Sequence, residues 1–143
     1  MITEAAKDSI RAVIYIALYR EDREFVSIKE IAQNLKLSFY FLSKNLLKLV
    51  KAGILESFRG PKGGVNFKKN LKDVKLIDII SVIDGTSLFE SCILGFKECS
   101  DANPCAIHNK WAEERKKLYE MFDISVEKIV DDIKSGKIKN IKI

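Results

Sequence analysis

The strongest constraint on the fold is a set of closely spaced start and stop signals between residues 27 and 67. Ser27-Ile28-Lys29-Glu30 has the form of a capping box: the serine hydroxyl accepts the backbone N–H three residues on, and Glu30 reaches back to the serine N–H. It predicts a short helix from Ile28 to about Asn34 that buries Ile31 and Ala32. Ser38 caps a second, longer helix running to about Ala52, with Leu42, Leu46, Leu49 and Val50 inward and Gly53 just past its end. The tight connection over residues 34–37 makes the pair a helix-turn-helix. Ile54 to Phe58 then reads as a strand and Val65-Asn66-Phe67 as its return. Between them, Arg59-Gly60-Pro61-Lys62-Gly63-Gly64 is a basic, glycine-rich hairpin tip. A hairpin directly behind such a helix pair is a wing.

The remaining chain is helical around this unit. Thr3 caps a helix to about Tyr19 with Ala6, Ile10, Val13 and Ala17 on its buried side, followed by a polar loop, Arg20 to Glu24. Leu76 to Asp84 is a further helix closed by Gly85. Residues 86–103 show no clear periodicity. Asn103-Pro104 predicts a helix start, with Asn as N-cap and Pro at the first helical position, running to about Phe122 on Trp111, Leu118 and Phe122. Ser125 starts a last short helix through Ile133, stopped by Gly136, and the tail KIKNIKI is expected to fray or to be held by a partner. The expected fold is mainly α with a small β-hairpin. A winged helix-turn-helix DNA-binding domain occupies residues 1–85, a cysteine-bearing loop residues 86–104, and a long C-terminal dimerisation helix with its tail residues 105–143.

Charge sharpens the reading. The chain of 143 residues carries a net charge of +5, but residues 1–72 hold 14 Lys/Arg against 7 Asp/Glu, and residues 73–143 hold 11 against 13. Over residues 36–72 nine bases face one acid, Glu56. A concentrated basic segment is the footprint of a phosphate-binding surface; a solvated lysine-rich face is the plain alternative. The second helix leaves Tyr40, Ser43, Lys44 and Asn45 near its start, off the leucine side, where this motif reaches base edges. Arg59 is suited to a minor groove and Lys62 to phosphate, and the glycines, Gly63 among them, let the backbone lie against the sugar–phosphate wall. A plain tight hairpin would explain the glycines but not the two cations. With Ser27 and Ser38 at the helix caps, these residues form the expected contact set for double-stranded DNA.

Other classes are disfavoured. The longest apolar run, Val13 to Tyr19, is too short to cross a bilayer, and residues 1–10 hold two acids and no apolar segment, so a cytoplasmic protein with reduced thiols is expected. No nucleophile–base pair, second histidine or phosphate-cradling loop is present, so catalysis is not expected.

All three cysteines fall within 14 residues, as Cys92-x6-Cys99-x5-Cys105, and His108, the only histidine, lies three residues beyond. An odd count argues against a disulfide framework. Three small buried hydrophobes is a poor reading, because Lys97, Glu98, Ser100 and Asp101 surround Cys99. Clustered soft donors point to a metal. Three thiolates and an imidazole suit tetrahedral zinc, whereas structural zinc sites space their cysteines more tightly, and the wider gaps here suit an iron–sulfur cluster. With Cys105 and His108 expected on one helical turn, His108 is available as a fourth ligand. A small electron carrier is a further reading of the same cysteines.

At this point the chain resembles the IscR/NsrR-type family of iron–sulfur winged-helix regulators. The resemblance rests on IAQNLKLSFYFLSKNLLKLVKAGILESFRGPKGG over residues 31–64, on VKLIDIISVIDG over residues 74–85, and on the cysteine loop. It implies a transcriptional regulator, a repressor in the expected case, that senses redox stress, nitric oxide or iron status. It implies a homodimer on a palindromic operator, with the helix after the cysteine loop crossing to the partner. Ser38, Tyr40, Ser43 and Lys44 would then occupy reading positions, Arg59 the wing, and Cys92, Cys99 and Cys105 would ligate the cluster. The first cysteine gap is one residue longer than the family's best-known pattern, and Ser43 stands where some relatives carry a glutamate. Cys105-x2-His108 with Trp111 resembles the branch whose histidine completes a 2Fe–2S cluster; in the other branch an aspartate from the partner's first helix completes a 4Fe–4S cluster, and Asp8 lies near that position.

Overall fold

A computed structural model describes residues 1–138, so most of the KIKNIKI tail lies outside the described residues. Helix α1, Glu4–Tyr19, starts where Thr3 accepts the Ala6 N–H at 3.2 Å. Ala6, Val13 and Ala17 are buried with Ala12 and Ile16, while Ile10 is half-buried. Ser9 is fully buried as well, and its hydroxyl donates to the Ala5 carbonyl at 2.7 Å, so no polar group is stranded.

Helices α2, Ile28–Leu35, and α3, Phe39–Lys51, follow the two serine caps. Lys36 makes the tight turn between them in the left-handed region (φ 55°), and the Leu37 N–H donates to the Ala32 carbonyl at 2.8 Å. The capping box at Ser27 is only half formed. Ser27 accepts the Glu30 N–H, but the Glu30 carboxylate turns to Arg23, whose Nη1 lies 2.9 and 2.7 Å from its two oxygens; a charged donor is the stronger partner.

Strands β1, Leu55–Phe58, and β2, Gly64–Phe67, pair antiparallel from Leu55 opposite Phe67 to Phe58 opposite Gly64. Val26 adds a bridge on the far side of β2: Val26 and Val65 exchange backbone hydrogen bonds at 2.9 Å. This approach gives the tip glycines an internal purpose. A Cβ on Gly64 (φ 153°) would sit 2.1 Å from the Val26 carbonyl oxygen, and one on Gly63 2.2 Å from that of Phe58.

Helix α4, Leu76–Asp84, ends at Gly85 as its sequence predicts. A short helix α5, Ser87–Glu90, follows. The long helix α6 spans His108–Phe122 and so begins well after the expected Asn103-Pro104 start. Asn103 is otherwise engaged: its N–H and C=O both bond Ser100 and its side-chain amide donates to the Glu98 carbonyl, so it closes a turn instead of capping a helix. Cys105 therefore precedes the helix rather than sharing its first turn with His108. No residue of α6 is buried; Trp111, Leu118 and Phe122 are half-buried.

Helix α7, Val126–Lys134, is capped by Ser125 and returns to the head. Its entry is fixed by a two-residue ladder, Leu76 N–H to Ile124 carbonyl at 3.0 Å and Val126 N–H to Val74 carbonyl at 2.8 Å. Val126 and Val130 thereby join a single core with Ile16, Ile31, Leu46, Leu49, Leu55, Val65 and Ile79. Among the described residues no helix is long and apolar enough to cross a membrane. The architecture is a mainly α winged helix-turn-helix head from which α6 is carried outboard.

Candidate functional site

The loop that carries the cysteines lacks periodicity because it is a succession of tight turns. Gly95 N–H bonds the Cys92 carbonyl at 3.0 Å, Cys99 N–H that of Phe96 at 3.3 Å, Asn103 N–H that of Ser100 at 3.1 Å, and His108 N–H that of Cys105 at 3.1 Å. Each turn folds the chain back on itself, and the three thiols meet. Their sulfurs all lie within 4.8 Å of one another, with Cys92 and Cys105 at 3.7 Å, and all three are half-buried free thiols.

His108 Nδ1 is 3.1 Å from the Cys99 sulfur, and its Nε2 is 2.9 Å from an Asp101 carboxylate oxygen. Asp101 thus orients the ring, a role that spacing alone did not reveal. A cavity of about 720 Å³ opens on Cys99 and Cys105 between Leu94, Phe96 and Pro104, and a second of about 210 Å³ is lined by Cys92, Cys99, His108, Trp111 and Arg115. Burial pushes the Cys92 thiol up. The N–H groups of Phe96 and Leu94 and the thiols of Cys105 and Cys99 outweigh it and bring Cys92 down to about 7. The Cys105 N–H lowers Cys99, but burial and the neighbouring thiols prevail and hold it above the usual thiol range. A set of three soft donors, one of them readily ionised near neutrality, fits a thiophilic metal or an iron–sulfur cluster. Asp8 is not part of this group within one chain; it pairs with Arg11 at 3.4 Å.

The second candidate surface is the exposed side of α3 together with the wing. Tyr40, Lys44, Arg59 and Lys62 are exposed, and the Lys44 ammonium lies 5.2 Å from the centre of the Tyr40 ring. Ser27 and Ser38 are spent as helix caps, and the Ser43 hydroxyl donates to the Phe39 carbonyl at 2.7 Å. Gly63 closes the hairpin, its N–H on the Gly60 carbonyl at 2.9 Å. Phe39 and Phe41, which pattern reasoning passed over, are exposed beside Tyr40. The signal was present: three aromatics in a row exceed what one buried helix face accepts.

A winged head, a basic reading side and a thiol centre on an outboard loop define a winged-helix transcriptional regulator. Residues 2–132 match the model of the Rrf2 family, described as iron-dependent transcriptional regulators, and the chain belongs to that family. It is 31% identical over 124 residues, covering 85% of each chain, to a protein of Aquifex aeolicus (strain VF5) described as an HTH-type transcriptional regulator. It is 24% identical over 132 residues to the HTH-type transcriptional regulator IscR of Vibrio atlanticus (strain LGP32), covering 92% of this chain and 75% of that one. Among solved structures, T. potens IscR superimposes with a TM-score of 0.76 at 23% identity over 99% of this chain and 93% of its own. CymR (YrzC), the global cysteine regulator of B. subtilis, does so with 0.75 at 23% identity over 92% and 96%. These relatives are regulators and not enzymes.

Proposed function

We propose that the chain is a cytoplasmic homodimeric repressor that binds a palindromic operator, and that Cys92, Cys99 and Cys105 hold an iron–sulfur cluster, 2Fe–2S or 4Fe–4S, reporting redox stress, nitric oxide or iron status. The observation that carries this reading is the meeting of three thiols within 4.8 Å on a loop between the head and α6. The iron-dependence in the family's description and the IscR relatives support it. His108 Nδ1, beside the Cys99 sulfur though outside the group that the three thiols form, is the fourth donor we assign within the chain, and Asp8 from a partner subunit is the alternative. When bound, the cluster supplies a centre that oxidants, nitric oxide and iron shortage attack or withdraw.

The chain's own residues connect that centre to the rest of the molecule. Trp111 Nε1 donates to the Ser91 carbonyl at 2.9 Å and Arg115 to the Glu90 carbonyl at 2.7 Å. Two side chains of α6 therefore hold the two residues that precede Cys92, so a change of position at Cys92 is felt by α6. In the proposed dimer α6 joins the two heads, and heads must match half-sites about 34–36 Å apart or multiples of that. Tyr40 and Lys44 would face base edges, and Arg59 and Lys62 the backbone and minor groove. A tenfold change in DNA affinity needs only about 1.4 kcal/mol of such coupling.

The deciding experiment compares holo and apo protein, both prepared without air, for visible absorption, Mössbauer spectrum and binding to a duplex selected from a random pool. A coloured protein whose DNA affinity shifts at least tenfold on cluster loss is the expected result. Equal affinities would remove the sensing role and leave DNA binding intact. A colourless protein with one zinc per chain would assign the thiols and His108 to a structural zinc site, and rapid reversible reduction without effect on DNA would make the protein an electron carrier.

A further inference from the structure

Helix α3 opens with Phe39-Tyr40-Phe41, and the three residues stand 56%, 63% and 65% exposed. Their helix buries Leu42, Leu46 and Leu49 in the head, so these rings are not the edge of an unfinished core. Phe39 borders a cavity of about 460 Å³ shared with Ala32, Gln33 and Leu37 and is turned toward α2. Tyr40 and Phe41 pack edge to face, centroids 5.4 Å apart at 70°, as a two-ring apolar platform at the helix start.

Three polar groups around this platform have partners within the chain. Ser38 caps the Phe41 N–H, the Ser43 donor is on the Phe39 carbonyl, and the Lys44 ammonium lies over Tyr40. The helix therefore presents rings where a helix-turn-helix presents its base-reading side chains. Each base pair shows hydrogen-bonding atoms in the major groove, but thymine alone adds an apolar group there, its C5-methyl. The nine-to-one excess of bases over residues 36–72 marks the occupant of this side as a polyanion rather than an apolar protein surface.

We propose that Tyr40 and Phe41 read thymine methyl groups, which makes them specificity-determining residues for A·T pairs within each half-site. This rests on the DNA-binding reading above. It is independent of what the cysteines hold.

The test uses the full chain and duplexes of about 30 base pairs with randomised centres, long enough for two half-sites. The enriched duplex is resynthesised with every thymine replaced by deoxyuridine, which deletes only the methyl group and keeps pairing. One buried methyl is worth about fourfold in affinity, so with one methyl read in each of the two half-sites the unaltered protein is expected to bind the deoxyuridine duplex at least about sixteenfold more weakly. A Tyr40→Ser/Phe41→Ser variant is expected to bind both duplexes alike while keeping its salt dependence, since phosphate contacts are untouched. Equal binding of the two duplexes by the unaltered protein overturns the proposal, with no variant needed. Retained discrimination in the double variant assigns the methyl contact elsewhere and overturns it too. Failure to bind any duplex in the pool removes the DNA-binding reading itself, and is told apart because it appears before any thymine is replaced.

Discussion

The head and the cysteine loop are held together by different means. In the head, helices α1, α3, α4 and α7 bury Val13, Ile16, Leu42, Leu46, Leu49, Ile79 and Val126 almost completely, and the hairpin adds Leu55 and Val65. Residues 86–107 bury no large apolar side chain. Ile93, Leu94 and Phe96 are more than half exposed, and the segment is shaped by short backbone turns and a few bonds to α6. Burial of apolar area is the main driving force for a stable fold, so the head carries its own stability, whereas the loop is held by backbone turns and its few bonds to α6.

The division can be broken from either side. Leu49→Ala, in the head core, is expected to cost about 2–5 kcal/mol of stability, visible as a lowered midpoint in thermal or urea unfolding followed by circular dichroism. Gly64→Ala is expected to cost about 1–3 kcal/mol, because its Cβ meets the Val26 carbonyl and its backbone is held in a region that disfavours side chains. It should also weaken DNA binding by displacing the wing. Ser38→Ala removes one cap and should cost about 1 kcal/mol, with the visible spectrum of anaerobically purified protein unchanged. Cys99→Ala reverses the pattern: unfolding of the head should shift by less than about 0.5 kcal/mol, yet the protein should lose its bound metal or cluster by elemental analysis and absorption. Smallest in energy, Arg59→Ala should leave both regions folded and reduce the slope of log affinity against log salt by about one. If Cys99→Ala melted the head as Leu49→Ala does, the two regions would not be separable and the comparison would fail.

The head was legible in the sequence because its signals are local and redundant. Ser27 and Ser38 mark helix starts, Gly53 and Gly85 mark ends, and the leucine spacing of α3 repeats the inward face several times, so one misread residue changes little. What escaped was settled by distant partners. Val26 gives no strand pattern by itself and becomes one only beside Val65. Glu30 had two possible partners, and Arg23, seven residues away, outcompetes its own cap. Asn103-Pro104 has the chemistry of a helix start but is used to close a turn with Ser100. The cysteines were visible as a cluster, but the four turns that gather them come from backbone bonds with no side-chain signature. The rings of Tyr40 and Phe41 were readable as surface; that they form a paired platform was not.

The ladder between residues 74–76 and 124–126 has a mechanical consequence. The excursion that contains the cysteines and α6 leaves the head after α4, at Gly85, and re-enters it at Ser125, where the ladder and the Lys75 grip on Asp123 at 2.7 Å fasten it. The far end of α6 is thus pinned, while its near end, about 22 Å away along the axis, rests on the thiol loop. A rod fastened at one end answers a push at the other by swinging, not by sliding. Rearrangement around Cys92 would accordingly reach a partner bound along α6 as a change of angle, largest at His108 and vanishing toward Phe122.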